Sequence, residues 1–188
     1  VQTNGGADDV RAALAAATKA VKATLPERTA IRRYQAIGRT HERLNAFLRG
    51  APEAPGSARR LMAMRDTLDA LLRRAALPVD LVVYRGVPDL RVVVPLGRRL
   101  PSTAVQHGFL STSLSRDVAV RDFVDGSPPG GVLRVLAPAG TNALWLTPLA
   151  DPLVAQEEEI LFRQGMLLTF LRWHTGTDIR EVDCEVTR

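Results

Sequence analysis

Val154-Ala155-Gln156-Glu157-Glu158-Glu159-Ile160-Leu161-Phe162 sets three carboxylates in a row directly before three large apolar residues. The Ile-Leu-Phe run reads as the start of a buried strand. Alternate side chains of an extended chain share a face, so Glu157 and Glu159 are expected to point one way and Glu158 the other. Two acids on one side of a strand entering a core are costly unless something pairs or uses them. The strand rise puts them ~7 Å apart, a separation that also suits glycosyl-transfer chemistry. The plainer reading is an exposed strand start or an acid-rich helix N-terminus.

The surrounding chain has the make-up of one ordinary domain. It has 188 residues, 46% hydrophobic and 24% charged, which is enough for a core and too apolar for disorder. No apolar run approaches the ~20 residues that span a membrane. Residues 1–7 are polar and Gly-rich, unlike a signal peptide, and the chain opens on Val1 rather than Met. It is therefore read as a cut-out or processed piece of a longer protein. A single cysteine, Cys184, excludes an internal disulfide. The net charge of +5 suits nucleic acid, an anionic membrane or an acidic partner. Much of the arginine falls on predicted helices, where a solvated face is the simpler account.

Three helices are expected first: one capped by Asp8, one over 27–49, and one capped by Ser57 and closed by Pro78. Short β-like runs follow at 80–84, 107–113, 132–136, 143–146, 159–162, 166–173 and 180–186. A short helix opened by Ser115 or Arg116 lies among them. Helices followed by strands indicate an α+β domain. The whole of 1–188 is read as one unit, a helical lead-in over 7–77 and a β-rich core over 78–188.

Two further constellations accompany the acids. Leu81-Val82-Val83-Tyr84-Arg85-Gly86 ends a branched strand in an arginine and a glycine. A guanidinium there suits a phosphate or carboxylate, and glycine admits a ligand close to the backbone; a surface ion pair is the alternative. In Gly108-Phe109-Leu110-Ser111-Thr112-Ser113-Leu114, Ser111 and Ser113 share one face of a short strand and Thr112 takes the other. An edge strand with a polar face accounts for this motif equally well, and no nucleophile elbow is present.

Taken in order, arginine, then Ser-Thr-Ser, then Glu-x-Glu resembles the arginine–serine–glutamate class of mono-ADP-ribosyltransferases, which includes bacterial toxin domains. Tyr34, Asn45 and Leu48-Arg49 look like that family's helical lead-in, and Leu133 to Thr141 like its strand and turn before the acidic loop. The resemblance covers roughly 31–186. It implies N-terminal helices followed by two roughly perpendicular antiparallel or mixed sheets that form a cleft for NAD+, used as substrate.

The resemblance also implies residue roles. Arg85 would hold a phosphate of NAD+, and the Gly86 backbone would bond the nicotinamide amide. Ser111 would orient the catalytic Glu159, while Thr112 and Ser113 shape the ribose pocket. Glu159 would bond a ribose hydroxyl and stabilise the sugar cation. Glu157 would address the acceptor, and glutamate there favours an arginine side chain of a target protein. Phe123 lies near the place of an aromatic over the nicotinamide, with helix packing as its other reading. Residues 143–156 would form the acceptor-recognition loop, although Trp145 reads as core.

The chain departs from the pattern in two places. Gln106-His107-Gly108 stands where many toxins have an asparagine, and Leu153-Val154-Ala155 stands where many arginine-specific ones have an aromatic. Three rivals remain: an NAD+ glycohydrolase, a transferase acting on nucleic acid, and a basic binding module without catalysis. No metal is expected, since His41, His107, His174 and Cys184 lack ligand spacing.

Overall fold

Glu27 shows why the helical lead-in forms where it does. Its carboxylate accepts from the Thr24 backbone N–H at 2.8 Å and hydroxyl at 2.9 Å, closing a capping box at the start of a helix. Its other oxygen accepts from Arg74 Nη2 at 2.9 Å, at the end of a different helix. A computed structural model describes residues 6–36, 39–94, 100–124, 129–174 and 179–187, with Phe123 described in its backbone alone. The helices before the sheet are α1 (Ala7–Ala20), α2 (Leu25–Gln35), α3 (Thr40–Leu48) and α4 (Pro55–Arg74).

The single helix expected over 27–49 is two helices. α2 ends at Gln35, and Arg39, left-handed at φ 56°, precedes α3. The sequence between them contains Gly38, whose entropy makes a helix interior costly. Two expected caps also move. α1 starts after Gly6 and α4 after Ala54, so Asp8 and Ser57 lie inside first turns rather than capping them.

The sheet comprises β1 (Leu81–Val87), β2 (Ser102–Gln106), β3 (Leu110–Ser113), β4 (Gly131–Ala137), β5 (Ala143–Trp145), β6 (Glu159–Phe162), β7 (Met166–Trp173) and β8 (Glu181–Thr187). Two short helices interrupt it, α5 (Leu90–Val93) and α6 (Arg116–Phe123). α6 is capped by Ser115 as expected, its hydroxyl accepting from the Val118 N–H at 3.3 Å. β1 runs on to Val87, so Arg85 and Gly86 sit inside a strand and not at its end. β3 begins only at Leu110. β2 and α5 are not anticipated by the sequence pattern. β2 is an edge strand that is exposed at alternate positions, so its apolar signal is weak.

The strand order is β2-β7-β8-β4-β1-β3-β6-β5, antiparallel throughout except for β4 beside β8. β1 and β4 pair over seven positions, whereas β1 and β3 meet at one, Tyr84 opposite Ser113. The two sheets expected from the sequence are therefore two halves of one hydrogen-bonded order, hinged at a single register pair.

Two cores flank the strands. Ile160, Phe162, Trp145 and Leu110 join one with Val83, Leu133 and α1's Leu14. Leu161 and Leu144 join the other, with Phe109 and the apolar faces of α2, α3 and α4. β6 is thus buried on both faces, which is why its sequence is an unbroken apolar run. Glu159 shares the Leu161 face, toward the helices.

Candidate active site

β6 is the natural place to build the site. Its register with β3 sets Ser113 opposite Glu159 and Ser111 opposite Leu161. Directly opposed residues share a face, so both serines and Glu159 look toward the helical layer. α2 supplies the other wall. Gln35 Nε2 donates to Glu159 Oε2 at 2.7 Å. Tyr34, buried beside it, receives a bond from Asn45 Nδ2 at 3.3 Å, and Asn45 Oδ1 accepts from the Phe109 N–H at 2.9 Å. α2 and α3 are thereby pinned to the start of β3. A Cβ on Gly108 would lie 2.5 Å from Asn45 Oδ1, so only glycine lets this contact close.

Arg85 ties β1 to the same place. Its Nη1 donates to the Ser111 carbonyl at 2.9 Å, and no carboxylate pairs with it among the described residues. Burial lowers its pKa and Arg49 adds to that, while Tyr34 and Glu159 oppose it. A guanidinium stays protonated under such pressure. It is therefore a half-buried cation with donors to spare.

Glu157 and Glu159 do not share a strand face, contrary to the alternation argument. Glu157 ends a 3-10 turn (Ala155–Glu157), and Glu158 is left-handed at φ 47°. That turn swings Glu158 away to Arg11, which it meets at 2.7 Å. Glu157 nevertheless returns to the cleft, since the Ser113 hydroxyl donates to its carbonyl at 2.7 Å. Burial raises the pKa of Glu157, with Glu159 and Asp122 adding to it. Burial also raises that of Glu159, against Ser111, Gln35, His41 and Arg85, which favour the charged form.

One cleft of ≈ 820 Å³ is lined by Arg85, Gly86, Ser111, Thr112, Ser113, Glu157 and Glu159 together. It sits between the β1/β3/β6 surface and α2–α3. Its lining carries both signs of charge, Arg49, Arg85 and Arg121 with Glu42, Asp122, Glu157 and Glu159.

No protein-family profile matches the chain, and no curated protein matches it in sequence. Solved structures do. Plx2a, an ADP-ribosyltransferase toxin from Paenibacillus larvae, superposes with a TM-score of 0.72 at 18% identity, over 96% of each chain. C3stau2 from S. aureus, solved with NAD, gives 0.77 at 16% identity over 100% of this chain and 99% of its own. The ADP-ribosyltransferase Vis of Vibrio splendidus, solved in complex with agmatine, gives 0.67 at 18% identity, over 100% of this chain and 88% of its own.

This chain has the ADP-ribosyltransferase fold.

Within that fold every site residue singled out from sequence lines the one cleft, save Phe123, whose side chain lies outside the description. Thr112 is turned partly inward, its hydroxyl donating to the Ile160 carbonyl at 3.0 Å. In the segment 143–156, Trp145 and Leu149 are buried, Leu153 is 74% exposed and Val154 lines the cleft. Sequence reasoning missed Gln35, His41 and Asp122 and noted Arg49 only as part of the lead-in. Nothing local distinguishes them, since each reaches the cleft from a helix. Among the described residues no His/Cys/Asp/Glu group could hold a metal, and no helix is long and apolar enough to cross a membrane.

Proposed function

We propose that the chain is a mono-ADP-ribosyltransferase that moves ADP-ribose from NAD+ to a guanidinium, an arginine of a target protein, and that it serves as the catalytic domain of a toxin or effector. The observation that carries this is the meeting, in one cleft, of a half-buried guanidinium that has no carboxylate partner among the described residues and two carboxylates of raised pKa. The residues fit NAD+. The volume lies in the range of ligand clefts. Arg85 has donors left for a phosphate oxygen, and Arg49 stands close enough to share the charge.

Bound NAD+ supplies an activated sugar whose bond to nicotinamide breaks with positive charge left on the sugar. Arg85 would fix the phosphates, and the Gly86 backbone the nicotinamide amide. Glu159 would face the sugar, accept a hydrogen bond from its hydroxyl and stabilise the developing cation. Ser111 would keep that carboxylate oriented, while Thr112 and Ser113 close the pocket. Glu157 would pair with the incoming guanidinium and take its proton. A carboxylate of raised pKa is the better base near neutrality. Agmatine, the ligand named for Vis, carries a guanidinium, which supports an acceptor of this chemistry.

The test is incubation with labelled NAD+ and agmatine. The wild type should label agmatine. Glu159→Gln should lose both transfer and NAD+ cleavage, by about a hundredfold or more. Glu157→Gln should lose transfer and keep cleavage. NAD+ turnover that survives Glu159→Gln would remove the assignment. Cleavage without transfer by the wild type would select the glycohydrolase, and labelled RNA or DNA the nucleic-acid acceptor.

A further inference from the structure

We propose that Gln35 is a positioning residue of this site, whose side-chain amide fixes the Glu159 carboxylate from the helical wall of the cleft. The inference rests on the catalytic reading of Glu159 given above. Gln35 is the last residue of α2, and its Nε2 reaches Glu159 Oε2 at 2.7 Å. That length is typical of a bond to an ionised acceptor. The rest of the amide is not satisfied. Oε1 is sealed from solvent and has no hydrogen-bond partner among the described residues.

A side chain that merely filled this space would do better as Leu or Met, which have no oxygen to desolvate. Rotating the amide would not help, because it would set Oε1 against the carboxylate. The orphaned oxygen is thus the counterpart of an amide whose nitrogen is directed at an anion. The other groups around Glu159 are Tyr34 on α2, His41 on α3, Arg85 on β1, Ser111 on β3 and Glu157 in the preceding turn. Ser111 and Gln35 are the two that favour its charge by hydrogen bonding. Ser111 approaches from the sheet, and Gln35 reaches the carboxylate from the helices. A donor to the charged form makes a carboxyl more acidic, so losing Gln35 should make Glu159 harder to ionise.

The experiment compares the full chain with Gln35→Met, which keeps volume and removes the donor. kcat/KM for NAD+ is measured with agmatine from about pH 4 to 9, and the carboxyl resonance of Glu159 is titrated by carbon NMR. Folding is checked by thermal unfolding. The expected result is an acid limb displaced to higher pH, with kcat/KM about tenfold lower on that limb and a smaller loss on the alkaline side. The Glu159 resonance should move to higher pH in parallel. If Gln35→Met does not fold, Gln35→Asn, one methylene too short to reach, should give the same displacement. Coincident acid limbs, or a resonance titrating at the same pH in both proteins, would overturn the inference and leave the catalytic reading standing. A wild type that turns over no NAD+ would overturn that reading instead, and this inference with it.

Discussion

Glu159 carries a charge that its burial in the fold disfavours. Its burial raises its pKa, so the folded state holds this charge less willingly than the unfolded chain does. The sign follows directly. For a carboxyl whose pKa is raised by folding, ionisation above the unfolded value costs stability, and the cost vanishes when the group is protonated. Glu159→Gln, inactive by expectation, should therefore be more stable than wild type in urea unfolding near pH 7. The gap should close as the pH falls from the raised folded value to the ordinary carboxylate value. A variant less stable at neutral pH would show that the donors outweigh burial. Sequence alone located this residue, because an acid abutting an apolar run is visible locally. It did not locate Gln35, whose pairing spans most of the chain.

Short helices complete the cleft at its rim. α6 packs on β1 and brings Arg121 and Asp122 to the cleft rim. Its start depends on Ser115, whose N–H also donates to Ser113 Oγ at 3.0 Å. Ser115→Ala should cost about 0.5–1 kcal/mol, the low end for an N-cap because the bond to Val118 is long. It should raise KM for NAD+ more than it lowers kcat, as read from urea midpoints and initial rates. The cap was legible as a serine before an apolar stripe. The break between α2 and α3 was not. Apolar spacing continues across it, and the break shows only in the backbone, where α2 ends at Gln35 and Arg39 is left-handed.

Across the whole molecule, buried acids tie distant strands and helices together. Asp183 on β8 is 2% exposed. Burial pushes its pKa up, but His174, Arg134 and Arg172 prevail and hold it below the ordinary value. Asp69 on α4 is held down in the same way by Arg163, just after β6, and by Arg73. Glu27 is held down by the Thr24 backbone and Arg74. Each contributes stability that is complete above the unfolded pKa and lost as pH falls through the folded one. Unfolding free energy should therefore fall below about pH 4, and Asp183→Asn should flatten that fall while lowering stability at neutral pH. An acid slope unchanged in Asp183→Asn would show that the network carries no linkage. The sequence by itself determined the α+β class and the apolar run of β6 with Glu159 at its start. Both rest on periods of two and 3.6 residues and on turn chemistry within a few positions. Only the tertiary structure decided that Glu158 turns out to Arg11 while Glu157 returns, and that two half-sheets meet at Tyr84 and Ser113. It alone brought Gln35 and Arg49 into the cleft. Those outcomes depend on which faces pack against which across the chain, and local spacing does not encode that choice.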